Sequence, residues 1–165
     1  MPDAFYLNVL VSKLFTSLFP PKCICCSRID VGLCSMCRQR LRVSRGVDLP
    51  HLDQCWSAGA YSGWLRDSVL AYKSGRIENL PGLVAVLGRV LETAQLTPDS
   101  VVGIPSTASK VRSRGFDSVG ELTAELAKQV KIPYKPILRY SRKVKEQVGL
   151  DRIARGNNLQ SAFTS

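Results

Sequence analysis

Residues 100–122 read SVVGIPSTASKVRSRGFDSVGEL, and this stretch sets the expectation for the fold. Its opening, 100–104, is a short β-branched run stopped by Pro105, as expected of a buried strand in a parallel sheet. Ser118 followed by Glu121 matches a capping box, and Val119, Leu122, Leu126 and Val130 continue from it as one apolar stripe at helical spacing. Between strand and helix lies a basic loop that carries Lys110, Arg112, Arg114 and Gly115. Strand, loop and helix in that order predict an α/β domain. The loop suits phosphate, because free N–H groups at a helix start and two arginine forks can donate to one anion. A solvated basic loop is the plainer reading of the same residues.

Working outward, 134–139 offers another short strand, and 140–149 is charged and aperiodic, so an exposed loop is expected there. Upstream, Leu65, Val69 and Tyr72 recur at helical spacing after Gly63. Leu80, Leu83, Val84, Leu87, Val90 and Leu91 do so again, which predicts two helices. Residues 56–61 could form a short strand, and no internal repeat is present. The basic, polar segment 38–48 and Pro50 make a linker, which places the main domain over 50–165.

The segment 21–46 holds the strongest chemical signal. Cys23, Cys26, Cys34 and Cys37 form two CxxC pairs with seven residues between them, and Gly32 helps the chain reverse. Each pair can present two sulfurs from a tight turn, and two such knuckles close a tetrahedron around zinc. A redox dithiol or an iron–sulfur cluster would use the same residue type; two pairs in one small module favour zinc. A site closed by four thiolates keeps no position open for water, so its role would be structural rather than hydrolytic. Cys25 and Cys55 are expected to be spectators.

Residues 4–20 (AFYLNVLVSKLFTSLFP) are apolar enough to raise the question of export or a membrane span. Asp3 precedes them, no basic segment leads them, and Lys13 interrupts a run already shorter than the ~20 apolar residues of a bilayer crossing. An amphipathic helix over 1–20, ended by Pro20-Pro21, is the expectation, with no membrane span and a cytoplasmic location. A reducing compartment agrees with CxxC pairs that hold metal. The net charge of +10 is concentrated, with +5 in 21–46 and +7 in 109–165, so phosphorylated partners are favoured, solvated Lys and Arg that keep the protein soluble being the plainer reading.

Four stretches in order carry a family resemblance: LFPPKCICC with LCSMC, then YSGWLRDSVLAYKSG, then IPSTASKVRSRGF, then RYSRKVKEQVGLDRIARGNNLQSAF. Together they span nearly the whole chain. The last, with Arg142, Gln147, Leu150, Arg155, Asn158 and Phe163, is the most specific. The pattern resembles the ComF family, competence proteins with a phosphoribosyltransferase-like domain that also include the GntX proteins. Enzymes of the type I phosphoribosyltransferase class bind phosphoribosyl pyrophosphate with magnesium and displace pyrophosphate from the anomeric carbon. The resemblance implies that Lys110, Arg112, Arg114 and Gly115 face the pyrophosphate. It also implies that Arg142, Lys143, Lys145 and Gln147 lie on a mobile loop that closes over the reacting centre.

Two departures follow from the same resemblance. Where the family reads Gly-aromatic-Asn-Gln, this chain has Gly115-Phe116-Asp117-Ser118, an acid and a hydroxyl in place of two amides. The acidic pair and Thr-rich glycine loop that hold ribose 5-phosphate in the family would follow Ser165, and no Asp-Asp pair occurs within the chain. The expectation is therefore an incomplete type I phosphoribosyltransferase-like α/β domain preceded by a helix and a zinc module. Its catalytic residues are unassigned, and its exposed strand edges would be apolar. The expected role is that of a ComF-like protein supporting DNA uptake in transformation, inactive as a transferase by itself. The alternatives are a working magnesium-dependent transferase in a full-length form, and an adaptor whose Arg38, Arg40, Arg42 and Arg45 meet single-stranded DNA or a competence helicase.

Overall fold

The computed structural model describes residues 20–29, 32–147 and 149–165. The helix expected over 1–20 lies, but for Pro20, outside the described residues. Two compact units are formed. The first takes the described residues up to Tyr72 together with Arg76–Gln95, and the second takes Lys73–Gly75 and Leu96–Ser165.

In the first unit, helix α1 (Ser35–Gln39) follows the second cysteine pair, and β1 (Ser44–Arg45) pairs antiparallel with β2 (Trp56–Ser57). β2 is shorter than the expected 56–61 because Gly59 sits at a φ of 139°, outside strand geometry. Helix α2 (Gly63–Lys73), a 3₁₀ turn (Ile77–Asn79) and helix α3 (Leu80–Ala94) complete it, the last residue of α2 belonging to the second unit. The helices form where the apolar spacing placed them, but the buried stripe of α3 is Gly82, Leu83, Val84, Val86, Gly88 and Val90. Leu80, Leu87 and Leu91 are only half-buried. Gly82 marks the face that other backbone approaches.

That approach explains why the unit boundary does not fall at 46–50. Cys23, Leu33, Cys34 and Cys37 share one core with Val86 of α3, and Trp64 and Leu65 of α2 pack against it. Gly32, at a φ of 81°, lies so close to α3 that a Cβ there would sit 2.6 Å from the Gly82 nitrogen. Ser68 Oγ donates to the Ile24 carbonyl at 3.2 Å, and Asn79 Nδ2 donates to the Ser68 carbonyl at 3.2 Å. α2 and α3 are thus the scaffold of the cysteine module.

In the second unit the expected parallel strand over 100–104 shrinks to one bridge, Val101 to Tyr134, made by Val101 N donating to Pro133 O and Lys135 N to Val101 O. The pairing is parallel, as expected, but Val102 and Ile104, two apart and so on one face of the segment, remain 37% and 66% exposed, so the described residues leave that face uncovered. Helix α4 (Ala108–Arg114) occupies what the sequence suggested was a loop, and Gly115 ends it in the left-handed conformation, φ 80°. Helix α5 (Ser118–Val130) follows. β3 (Arg139–Tyr140) pairs antiparallel with β4 (Phe163–Thr164), stacking Tyr140 on Phe163 with ring centroids 4.8 Å apart, and helix α6 (Arg152–Leu159) lies between them in sequence. The architecture is mixed helix with two small antiparallel sheets. No helix among the described residues is long and apolar enough to cross a membrane.

Candidate metal centre and candidate anion site

The metal centre is built from two turns. Cys23 starts the first: its carbonyl accepts from Ser27 N at 2.8 Å and its own N–H donates to Arg28 O at 2.8 Å. Cys34 immediately precedes α1, and Cys37 lies within it. The turns are stitched together by Ile24 N donating to Gly32 O at 2.8 Å and Cys34 N to Cys23 Sγ at 3.4 Å.

The Sγ atoms of Cys23, Cys26, Cys34 and Cys37 all lie within 4.8 Å of one another, and Cys26 Sγ is 3.8 Å from Cys34 Sγ. A tetrahedron with metal–sulfur bonds of about 2.3 Å has sulfur–sulfur edges of about 3.8 Å, whereas a disulfide closes to about 2.05 Å. The geometry is that of a metal cage. Its electrostatics agree. Burial pushes the Cys23 thiol up, but backbone N–H groups of Cys34, Cys26 and Cys25 outweigh it and bring the thiol down to about 6. Burial, followed by the neighbouring thiols of Cys25 and Cys34, pushes Cys37 up. Crowded sulfurs cannot all ionise alone, and a cation among them removes that conflict. Three of the four are buried and Cys26 is exposed. Cys25 and Cys55 stand outside the cage; Cys55 instead meets Gly46, whose N–H donates to the Cys55 carbonyl at 2.7 Å.

Of the arginines beside this module, Arg38 is paired with Glu92 of α3 and Arg45 with Asp48 at 3.2 Å. Arg40 and Arg42 make no ion pair among the described residues.

The second unit holds a cavity of about 200 Å³. Lys110 and Arg114, four residues apart and so on one face of α4, line it, while Arg112 points to the exposed side and Gly115 serves as the helix cap. Lys145 and Gln147 line the opposite wall with Tyr140 and Glu146; Arg142 and Lys143 do not. Two separately predicted groups therefore converge in part on one space. Arg114 Nη1 donates to the buried Ser118 Oγ at 3.1 Å, which aims the guanidinium. Gln147 Nε2 is buried and has no hydrogen-bond partner among the described residues.

The start of α5 is not open to an anion, contrary to the expected use of free N–H groups there. Asp117, not Ser118, is the cap, and its carboxylate accepts from Val119 N at 3.2 Å. Nor does 140–147 hang free: Lys145 N donates to Asn158 Oδ1 at 3.0 Å, Asn158 Nδ2 to Lys145 O at 2.9 Å, and Arg142 Nη2 to Gln160 O at 2.7 Å. The specific Asn158 of the last motif thus holds the cavity wall. Sequence reasoning missed Lys73, which also lines the cavity. Its place at the end of an otherwise apolar-periodic helix was the available signal.

No protein-family model, curated protein or solved structure matches the chain.

Proposed function

We propose that the second unit binds a pyrophosphate-bearing ligand in the Lys110–Arg114–Gln147 cavity, and that the first unit is organised around one structural zinc ion. The observation that carries the reading is the unpartnered Gln147 amide, buried in the wall of a cavity that also gathers Lys110, Arg114 and Lys145. A buried donor without an acceptor costs about 1–3 kcal/mol, and a turn of the Gln147 amide into the cavity, where a phosphoryl oxygen held by the Arg114 guanidinium can accept from it, would remove that cost. The cavity lies below the ~300 Å³ lower range for drug-sized ligands, which favours a small anion or one end of a larger one.

By its ordered motifs the chain reads as a ComF-like protein, and phosphoribosyl pyrophosphate with magnesium is the ligand that resemblance implies. Support for DNA uptake is the corresponding cellular role. Zinc is favoured over other metals because four thiolates in a closed tetrahedron suit it, and over iron–sulfur because one ion fills a cage of this size. Calorimetry with magnesium tests the anion reading. Pyrophosphate should bind at roughly 1 mM, about −4 kcal/mol, and Arg114→Ala should abolish the signal. No heat from the wild-type chain at about 10 times that concentration would remove the proposal.

A further inference from the structure

The cavity contains a cation that neither the basic loop nor the last motif accounts for. Lys73, the final residue of α2 and the first of the second unit, lines it beside Lys110 and Arg114. None of the three is paired with a carboxylate among the described residues, although Glu146 lines the same space. Among the described residues, the side-chain partner of Arg114 is the neutral Ser118 hydroxyl. Three like charges around about 200 Å³ repel one another, so folding alone does not favour the arrangement. A ligand with several negative charges does.

We propose, resting on the anion reading above, that Lys73 directly contacts the ligand's phosphate oxygens and, with Lys110 and Arg114, makes the cavity select pyrophosphate over a single phosphate. The state of the ammonium fits this role. Burial, then the charges of Arg114 and Lys110, hold Lys73 below the ordinary lysine value. The other titratable groups facing the cavity are Lys145, Glu146 and Tyr140. A bound polyanion opposes the two cationic neighbours, so it raises the Lys73 pKa and binding takes up protons at alkaline pH. As pH rises through the lowered pKa, the ammonium becomes a neutral amine and affinity falls.

The test is a chemical-shift titration with pyrophosphate and with inorganic phosphate at matched ionic strength, using wild type, Lys73→Met, Lys73→Arg and Arg114→Ala. Wild type should bind pyrophosphate at least tenfold more tightly than phosphate. Lys73→Met should bind pyrophosphate about tenfold more weakly while keeping its melting temperature. Lys73→Arg should stay within about threefold of wild type at pH 7. Arginine keeps its charge, so the ratio of wild-type Kd to Lys73→Arg Kd should climb towards pH 10, which separates direct ligand binding from a structural role. If Lys73→Met bound like wild type while Arg114→Ala was weakened, the Lys73 assignment would be wrong and the anion site would stand. Absence of any saturable shift in wild type would overturn both.

Discussion

Replacing Gly82 by alanine sets two magnitudes against each other. In a helix interior alanine is favoured over glycine by about 1 kcal/mol, so propensity alone predicts a gain. At Gly82 of α3, however, the new Cβ would lie 2.6 Å from the Gly32 carbonyl oxygen and 2.7 Å from Ile24 Cγ2. The oxygen is backbone and already accepts from Ile24 N at 2.8 Å within the cysteine module, so it cannot swing aside alone. Overpacking of this kind costs about 1–3 kcal/mol. The net expectation is a destabilisation of roughly 1 kcal/mol, with the two cysteine turns pushed off α3 and the metal released faster to a chelator. Gly156 of α6 is the control, since a Cβ there meets nothing within 4 Å. Gly156→Ala should gain close to the full propensity term of about 1 kcal/mol, a rise of about 4–8 °C in the small unit that carries it. Thermal unfolding by circular dichroism, with a chromogenic chelator run in parallel, reads both. Should Gly82→Ala stabilise as much as Gly156→Ala, α3 does not seat the cysteine module as described.

Metal analysis of purified protein should find about one zinc per chain, absent from Cys34→Ser and retained in Cys55→Ser; iron, or equal depletion in both, would refute the assignment. Lys73 also makes a stability prediction. Its folded pKa is lowered from 10.5, so the fold carries a penalty while the group is charged, relieved as pH rises through the lowered value. Lys73→Met should therefore be at least as stable as wild type at pH 7, with the difference shrinking at alkaline pH, and a destabilised variant would contradict this. If the first unit binds single-stranded DNA, Arg40→Glu with Arg42→Glu should flatten the salt dependence by ~0.7 for each phosphate that is no longer neutralised. Arg38→Glu would then be a poor probe, since it also breaks the pair with Glu92.

The cysteine cage was legible because its determinants are local: two CxxC turns fix four sulfurs whatever surrounds them. Helices α2, α3 and α5 were legible for a similar reason, their apolar periods being long enough to declare themselves. Residues 108–114 hid a helix because two turns of SKVRSR carry no apolar stripe, and a glycine such as Gly115 suits a phosphate loop and a helix cap equally by residue type. Ser118 and Asp117 are adjacent candidates for one cap, and Glu121 marked the helix start without deciding between them. What the chain could not announce is long-range. Gly32 against Gly82, and Lys73 beside Lys110, are meetings between distant segments, and no spacing rule connects them. The strand over 100–104 fell to one bridge because its β-branched composition records apolar surface, not the presence of a neighbour to cover it.

The central claim is that Gln147, Lys110 and Arg114 surround one anion. Its most direct test is the side-chain amide resonance of Gln147 in a nitrogen–proton correlation spectrum during titration with pyrophosphate and magnesium. A saturable shift of that amide is expected, together with the backbone of α4, and none for the residues of the cysteine module. A Gln147 amide that stays in place while pyrophosphate is raised past about 10 mM, on the order of ten times the expected Kd, would contradict it.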